Sequence, residues 1–414
     1  MMGYVLYTPS FIMVKLFKCS GNMKVLMIAP QPWFSPRGTP FSVLHRLNAL
    51  SHLGHNIDLV TYHIGKDIPI KNVNIYRIPK LPFIKTITVG PSLKKILLDL
   101  FIYLKARKLL KQFKYDLLHT HEEAGFMAPA ILKRFEVRHL YDMHSSLPQQ
   151  LTNFKFTKLR FLIKLFEKLE KMTIASADAV ITICPELHDY VRHLFPDKFN
   201  LLIENVADNS LVFEQKPVKP EEIKNQYNLN NHIVVVYAGT FEPYQGLDLL
   251  IKSSAQVIKR RENVAFILVG GNPEQVEKYQ KIISEQKLSE HFIFTGSVQP
   301  GQIPDYVGIA DILVSPRIEG NNTPLKIYSY LRSGKPIVAT RHLTHTQVLN
   351  DDVSVLTDCT PESFSDGIIR VIRDENLRRR ITKNALKLAE ERYSYRVYLE
   401  RTKKIYDYIV AKLD

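Results

Sequence analysis

The sequence is poor in cysteine and has no long apolar segment. Its 414 residues include only three cysteines, Cys19, Cys184 and Cys359, without paired spacing. That argues against a disulfide framework or a zinc site and favours a reducing compartment. A membrane-spanning helix needs about 20 apolar residues. The apolar run Phe11–Phe17 is too short and is interrupted by Lys15.

Acidic residues are scarce relative to basic ones. The chain has 56 Lys and Arg against 41 Asp and Glu, a net charge of +15. This implies an anionic partner: nucleic acid, a membrane surface or phosphorylated substrates. A clear secretory signal is also missing, so we expect a cytoplasmic protein. Residues 1–22 are expected to be an N-terminal extension that adds nothing to the fold. A chain of this length is expected to form two domains.

The first half lacks a strict GxGxxG fingerprint, so dinucleotide binding is not favoured. Short apolar runs alternate with amphipathic helices, which predicts a parallel, doubly wound sheet. The predicted strands are Val25–Ala29, Ile57–Tyr62, Val73–Ile78, Asp116–His121, Val137–Met143, Ala175–Cys184 and Leu201–Asn205. Gly38, in the turn after the first strand, either allows close approach of a ligand to the backbone or is a simple turn glycine.

Histidines stand at the carboxyl ends of two of these strands. His119 and His121 fall on one face of their strand because side chains alternate with a period of two. His144 follows the next strand, just after Asp142. Ligands of open α/β sheets bind at this edge, so these histidines are candidates for function, with a structural role as the alternative.

Two amphipathic helices are strongly basic. The segment Leu93–Lys114 contains seven lysines and arginines and a single acid, Asp99, among regularly spaced apolar residues. Phe154–Lys171 repeats the pattern with Lys155, Lys158, Arg160, Lys164 and Lys168 among Phe161, Leu162, Leu165 and Phe166. Such helices can lie on anionic lipid. The alternative is two core-facing helices with solvated basic faces.

The second half begins after a polar linker, residues 208–231, and its pattern centres on Asp311–Thr340. Ile312–Val314 is a predicted buried strand, and Ser315–Asn322 is a loop. Thr323 is the predicted N-cap of a helix with Pro324 in its first position, Gly334 the left-handed residue after it, and Ile337–Thr340 the next strand. This loop carries Arg317 and Glu319, and Lys326 follows in the first helical turn, where anions bind. An ordinary turn with solvated charges is the alternative.

These segments together resemble glycosyltransferase family 4. The resemblance runs from Met23 to the C-terminus. Its pieces are the strand and glycine loop at Val25–Gly38, HTHEE from His119, YDMHSSLP from Tyr141, IENVAD from Ile203, YAGTF from Tyr237, and SPRIEG with LRSGKPIVAT in the 311–340 block.

The resemblance implies a GT-B fold: two doubly wound Rossmann-like domains, 23–207 and 208–395, facing a central cleft, with a terminal helix, 396–414, that crosses back to the first domain. It implies a retaining transferase that moves sugar from a UDP- or GDP-sugar to a lipid-linked or polysaccharide acceptor, without cofactor or metal. The two basic helices add the expectation of peripheral association with the cytoplasmic face of the membrane. The implied catalytic residues are His121 and Glu319. The implied acceptor-side residues are Gly38, Thr39 and His144. The implied donor-binding residues are Gly239, Thr240, Gln245, Arg317, Thr323, Pro324, Leu325, Lys326 and Ser329.

The chain departs from the family pattern at the donor side. Ser329 stands where the second of two glutamates would contact the nucleotide ribose. Thr240 and Gln245 replace an Arg and a Lys that grip diphosphate. We therefore predict that Arg317 and Lys326 bind the diphosphate instead. Alternatives are a catalytically inactive GT-B scaffold, a nucleotide-sugar 2-epimerase, or a basic nucleic-acid-binding protein, for which no recognition motif is present.

Overall fold

The structure is a computed structural model that describes residues 21–35, 38–87, 92–148, 160–207 and 220–413. The chain divides into two compact units. The first runs to Glu204 and includes the C-terminal segment from Arg396, and the second is Asn205–Tyr395. Residues 1–20 of the predicted extension and 208–219 of the predicted linker lie outside the described residues.

The first unit contains a seven-stranded sheet in which every pair of neighbouring strands is parallel. Its strands are β1 (Lys24–Ile28), β2 (Asn56–Thr61), β3 (Val73–Arg77), β4 (Leu117–His121), β5 (Arg138–Met143), β6 (Ala179–Thr182) and β7 (Asn200–Leu202). All seven predicted strands are confirmed, except that Ala175 and Ser176 belong to the preceding helix.

The helices of the first unit alternate with these strands. They are α1 (Gly38–Leu53), α2 (Leu93–Gln112), α3 (Ala128–Leu132), α4 (Arg160–Ser176) and α5 (Pro185–Leu194). Both predicted basic helices are present, although Lys155 and Lys158 of the second lie outside the described residues. The strand order is β3-β2-β1-β4-β5-β6-β7, so its direction changes between β1 and β4. Ligands of open α/β sheets bind beyond the carboxyl ends of such strands, where β4 ends at His121.

The second unit contains a six-stranded parallel sheet in the order β10-β9-β8-β11-β12-β13. Its strands are β8 (Ile233–Ala238), β9 (Val264–Val269), β10 (Phe292–Gly296), β11 (Ile312–Ser315), β12 (Ile337–Thr340) and β13 (Val355–Thr357). The direction of the order changes between β8 and β11, which places the loops after these two strands at the expected ligand-binding edge.

The second unit has helices between and after these strands. They are α6 (Pro220–Gln226), α7 (Leu247–Arg260), α8 (Pro273–Glu285), α9 (Ile303–Ile309), α10 (Leu325–Arg332), α11 (Leu343–Thr346), α12 (Pro361–Arg373) and α13 (Glu375–Tyr393). Helix α6 lies inside the predicted linker, which is therefore not wholly irregular. The start of α8 has a capping sequence: Asn272 and Gln275 form a reciprocal capping box.

The last helix, α14 (Tyr395–Val410), packs into the first unit. Its apolar face buries Ile405, Tyr406 and Ile409. It also makes a polar contact with α1, since Arg46 of α1 donates a hydrogen bond to the hydroxyl of Thr402 at 2.9 Å. No helix of the described ranges is long and apolar enough to cross a bilayer.

The Asp311–Thr340 block is a strand, loop, helix and strand, with one error in the predicted cap. Gly334 has a φ of 72°, the predicted left-handed conformation after α10. The N-cap of α10 is Pro324, with extended backbone, and not Thr323. Because Pro324 has a ψ of 134°, it lies outside the helix, and the Thr323 hydroxyl finds no backbone N–H to accept from among the described residues. Helix α10 therefore begins at Leu325 with uncapped N–H groups.

Candidate active site

The buried carboxylate of Asp142 is the centre of a polar cluster in the first unit. Asp142 lies near the carboxyl end of β5, in register with His121 of β4. His119 lies two residues earlier on the same face of β4, and His144 immediately follows β5. Arg46 reaches the cluster from the buried side of α1. All five residues are buried.

The distances in this cluster show which groups interact directly. Asp142 Oδ2 lies 3.0 Å from Arg46 Nε and 3.4 Å from His119 Nε2. Its other oxygen, Oδ1, lies 3.2 Å from His144 Nε2. His144 Nε2 is also hydrogen bonded to His121 Nδ1 at 3.0 Å, and the rings of His119 and His121 stack with centroids 4.6 Å apart. The structure therefore brings the two predicted histidines, His121 and His144, into contact.

Burial and the neighbouring side chains together determine which residues of the cluster are charged. Burial alone would raise the pKa of Asp142, but Arg46 and the neighbouring histidines outweigh it and hold that pKa well below its usual value. Burial lowers the pKa of His119, and lowers the pKa of His121 further. Asp142 is thus ionised, its charge is balanced by Arg46, and both β4 histidines are neutral.

Three residues of the cluster have spacing that would suit a metal ion. His119, His121 and Asp142 each offer one ligand atom, and these atoms lie within 4.8 Å of one another. A divalent cation accepts such ligands. However, the guanidinium of Arg46 is already bonded to Asp142 Oδ2 and would repel a cation there. We therefore assign no metal to this cluster.

Helix α14 makes two hydrogen bonds to the cluster. The Tyr406 hydroxyl is hydrogen bonded to His119 Nδ1 at 2.7 Å. The Thr402 hydroxyl accepts from Arg46 at 2.9 Å. Two side chains from the end of the sequence thus hold two members of a cluster whose residues lie between positions 46 and 144.

The predicted acceptor-side residues Gly38 and Thr39 lie at the start of α1. Gly38 is the first residue of the helix and is exposed, and a side chain there would meet no atom within 4 Å. The Thr39 hydroxyl donates to Glu122 Oε1 at 3.0 Å. Glu122 directly follows His121 and has a φ of 49°, which is uncommon for a residue with a side chain. Thr39 is therefore linked to the end of β4, next to the histidine cluster.

In the second unit the loops after β8 and β11 lie side by side. The backbone N–H of Ile318 donates to the carbonyl of Tyr244 at 3.1 Å. Gly246 has a φ of 76°, and a side chain there would come within 2.0 Å of the Pro316 carbonyl oxygen. Glycine is required at this position because the two loops approach so closely.

Lys326, in the first turn of α10, points back to the end of β8. Its ammonium nitrogen lies 3.7 Å from the centre of the Tyr237 ring and would lie 2.9 Å from a side chain added at Gly239. The nitrogen is buried and makes no hydrogen bond within the described residues. Burial and then the nearby charge of Arg317 lower the pKa of Lys326 well below its usual value. The structure thus places an amino group that has no hydrogen-bond partner among the described residues against the backbone of the β8 loop.

Arg317 occupies the β11 loop beside Lys326. Its Nε donates to the backbone carbonyl of Glu319 at 2.8 Å, and its guanidinium lies 5.1 Å from the centre of the Tyr244 ring. Burial lowers the pKa of Arg317. Two positive side chains therefore lie near the uncapped start of α10, where free N–H groups add partial positive charge.

The other predicted donor-binding residues make few hydrogen bonds in the described part of the chain. Thr240 and Gln245 are joined by a long hydrogen bond of 3.5 Å. The Ser329 hydroxyl donates to the carbonyl of Lys326, in its own helix. Glu319 is exposed, and Pro324 and Leu325 form the start of α10. Ser329 cannot replace the negative charge of a glutamate, because a hydroxyl is neutral, and its one proton is already donated to the backbone.

Several site residues were missed by the sequence analysis. Arg46 gives no local signal, because an arginine in an amphipathic helix is usually solvated. Asp142 had a signal, its position two residues before His144 at a strand end. Tyr237 reads as one more apolar strand residue, and Tyr406 as part of an aromatic helix face. Each is recognisable only when residues distant in sequence are brought together.

Comparison with known proteins identifies relatives of both halves. Residues 36–201 match the family model described as Glycosyltransferase Family 4, and residues 219–388 match that of Glycosyl transferases group 1. An uncharacterised glycosyltransferase of Methanocaldococcus jannaschii is 23% identical over 353 residues, 83% of this chain and 86% of its own. The phosphatidylinositol N-acetylglucosaminyltransferase GPI3 subunit of Saccharomyces cerevisiae is 24% identical over 286 residues, 66% of this chain and 58% of its own.

Solved structures share the fold. Sucrose-phosphate synthase of Thermosynechococcus elongatus superposes with a TM-score of 0.77 at 18% identity, covering 94% of this chain and all of its own. The Anabaena protein HepE, solved in complex with UDP and glucose, superposes with a TM-score of 0.71 at 17% identity, covering 93% of this chain and 99% of its own. At this identity the likeness concerns the fold alone.

Proposed function

The chain belongs to the group 1 and family 4 glycosyltransferases, and from that premise we propose that it is a retaining transferase that uses a nucleoside-diphosphate sugar, of the UDP or GDP type. The anomeric carbon loses its bond to the diphosphate oxygen and gains one to an acceptor hydroxyl oxygen. The proton of that hydroxyl leaves with the diphosphate or to solvent. Binding of UDP and glucose by the fold neighbour HepE supports this donor class.

One observation carries the proposal: the buried ammonium of Lys326 has no anionic partner among the residues described. A buried, unpaired cation is costly, so its place at the start of α10 is best explained by an anionic ligand. Arg317 beside it can add parallel hydrogen bonds to phosphate oxygens. The N–H groups that begin α10 supply a third source of positive charge.

In this proposal the leaving diphosphate is stabilised by side chains and helix dipoles. Lys326, Arg317 and the start of α10 bind it, and they act most strongly as negative charge develops on the departing oxygen. Gly239, without a side chain, leaves room for Lys326 next to the β8 loop. His121, neutral and buried, contacts the transferring sugar. Glu319 is a further candidate on the donor side.

We propose a lipid-linked or glycan acceptor, with Gly38, Thr39 and His144 on the acceptor side. An exposed apolar row on α2, Ile96, Leu100 and Leu104, supports a lipid surface as the place where the acceptor is met. Helix α4 adds exposed Phe161, Leu165 and Met172 near lysines. The phosphatidylinositol-directed name of the yeast relative favours the same acceptor class.

A donor screen by thermal shift tests the proposal, because a ligand stabilises the folded protein according to its affinity. We expect one UDP- or GDP-sugar to raise the melting temperature, and the same donor to be consumed when an acceptor is supplied. His121→Ala should then lower kcat far more than it weakens donor binding.

An inactive scaffold is the second candidate, favoured by Ser329, Thr240 and Gln245 at positions where the family places charged residues. It predicts no stabilisation by any nucleotide sugar and no donor hydrolysis. That result would overturn the proposed activity.

A further inference from the structure

The hydrogen bond between His121 and His144 leaves open which of the two nitrogens carries the proton. His121 Nδ1 and His144 Nε2 lie 3.0 Å apart, so one must donate and the other accept. His121 is neutral and has only one N–H. The choice therefore decides whether His121 Nε2, buried and without a partner in the described part of the chain, is a donor or an acceptor.

The carboxylate of Asp142 determines which of the two nitrogens carries the proton. Its Oδ1 lies 3.2 Å from His144 Nε2, whereas its Oδ2 lies 3.7 Å from His121 Nδ1. An ionised oxygen attracts a nearby N–H and repels a nitrogen lone pair, and the nearer nitrogen feels this more strongly. His144 Nε2 therefore carries the proton and donates to His121 Nδ1. The single N–H of His121 must then be on Nε2.

Arg46 keeps Asp142 in the state that this arrangement needs. It bonds to Oδ2 at 3.0 Å and is itself fixed by the Thr402 hydroxyl at 2.9 Å. The guanidinium keeps the carboxylate ionised and occupies the side away from His144, so that Oδ1 faces His144 Nε2.

We propose that Arg46 and Asp142 are positioning residues that act through His144 to fix the proton of His121 on Nε2. His121 thereby presents an N–H donor to an oxygen of the bound sugar and cannot act as a base at that atom. The sugar contact rests on the proposed function, whereas the position of the proton follows from the cluster alone.

The test is nitrogen-15 NMR of the full chain with labelled histidine. Two-bond couplings distinguish an Nε2–H ring from an Nδ1–H ring, and the His121 signals are assigned by their loss in His121→Gln. The wild-type protein should show an Nε2–H ring for His121. An Nδ1–H ring in the wild type would overturn the inference without any variant.

Asp142→Asn supplies the second measurement, because it keeps the shape and removes the charge. The amide oxygen is expected to face Arg46, which places the amide NH₂ next to His144 Nε2. That nitrogen must then accept, and the His121 proton should move to Nδ1. Transfer should fall on the order of a hundredfold in kcat, the loss typical of one transition-state donor.

Tyr115→Phe is the matched control, since it removes another buried hydrogen bond to a carboxylate of the first unit, that to Asp58. It should leave the His121 ring unchanged. An unchanged His121 ring in Asp142→Asn would contradict the inference. If the ring is Nε2–H but His121→Ala keeps wild-type turnover, the proposed sugar contact fails and the proton assignment stands.

Discussion

The ammonium group of Lys326 lies 3.7 Å from the centre of the Tyr237 ring, at the point where α10 begins. The face of an aromatic ring attracts a cation, by about 2 kcal/mol or more when water is excluded. This attraction does not replace hydrogen bonds, and among the described side chains none accepts one from this nitrogen. Tyr237 therefore holds the cation in a buried place while leaving its N–H groups for a ligand.

Replacing Lys326 by Ala should weaken the binding of a nucleoside diphosphate by roughly 1.5–3 kcal/mol, the value of a hydrogen bond to a charged group. The nucleoside without phosphates should bind almost unchanged, because the lost charge faces the phosphates. Calorimetry on both ligands makes the measurement. Lys335→Ala, three residues beyond the C-terminal end of α10, is the control and should keep wild-type affinity. Unchanged diphosphate affinity in both Lys326→Ala and Arg317→Ala would rule out this phosphate site.

Nucleoside-diphosphate binding should also take up protons. Burial, then Arg317, lowers the pKa of Lys326 in the free protein, and a bound dianion raises it again. Between these two pKa values the free lysine is partly neutral and the bound lysine charged, so affinity should rise as pH falls through this window. Calorimetry in buffers of different ionisation enthalpy measures the proton uptake. Equal uptake by Lys326→Met would assign the proton to another group.

Tyr406→Phe should lower the free energy of unfolding by about 1–3 kcal/mol. The substitution removes the hydrogen-bond partner of His119 Nδ1, and an unsatisfied buried polar group costs this much. Chemical denaturation measures the change. Tyr408→Phe, on the same helix, keeps its stacking against Phe199 and should change stability by less than about 0.5 kcal/mol. Equal stability of the two variants would show that the bond to His119 contributes nothing.

Much of the fold could be predicted from the sequence because its signals are local. Alternating strands and helices predicted parallel, doubly wound sheets, and the resemblance to glycosyltransferase family 4 implied the two-domain Rossmann-like GT-B fold, which is confirmed. The period of two placed His119 and His121 on one face, and both contact Asp142. The left-handed Gly334 was equally predictable, since glycine tolerates that conformation after a helix.

The polar core of the first unit could not be predicted, because its partners are far apart in the chain. Arg46 and Asp142 are 96 residues apart, and His119 and Tyr406 are 287 apart. No periodicity links such pairs. The predicted cap of α10 was wrong for a different reason: Thr323 has a suitable side chain, but Pro324 has a ψ of 134° and lies outside the helix, which begins one residue later than predicted.

The exposed face of α2 supports the last prediction, binding to anionic membrane. Ile96, Leu100 and Leu104 are 63%, 53% and 49% exposed. They are four residues apart and so form one row along the helix. The opposite face already packs into the core through Leu98, Ile102, Ala106 and Leu109. The helix thus has a second apolar row that the described part of the chain leaves exposed.

Lysines flank this row. Lys94, Lys108 and Lys111 are exposed on α2. Each basic residue close to an anionic bilayer contributes about 1 kcal/mol, and this attraction is screened by salt. Apolar insertion and charge together are the combination that holds an amphipathic helix at a lipid surface. A protein partner would have no such requirement for anionic lipid.

We therefore expect the protein to co-sediment with vesicles that contain anionic lipid, to bind neutral vesicles much less, and to be released by salt. Leu100→Ser with Leu104→Ser should weaken this binding by about tenfold or more, because partial burial of two leucine side chains is worth at least 1.4 kcal/mol. Leu343→Ser with Leu386→Ser removes two comparably exposed leucines from the second unit and should have no effect. Equal, weak sedimentation with anionic and neutral vesicles would exclude a lipid surface, and the acceptor would then have to reach the enzyme from solution.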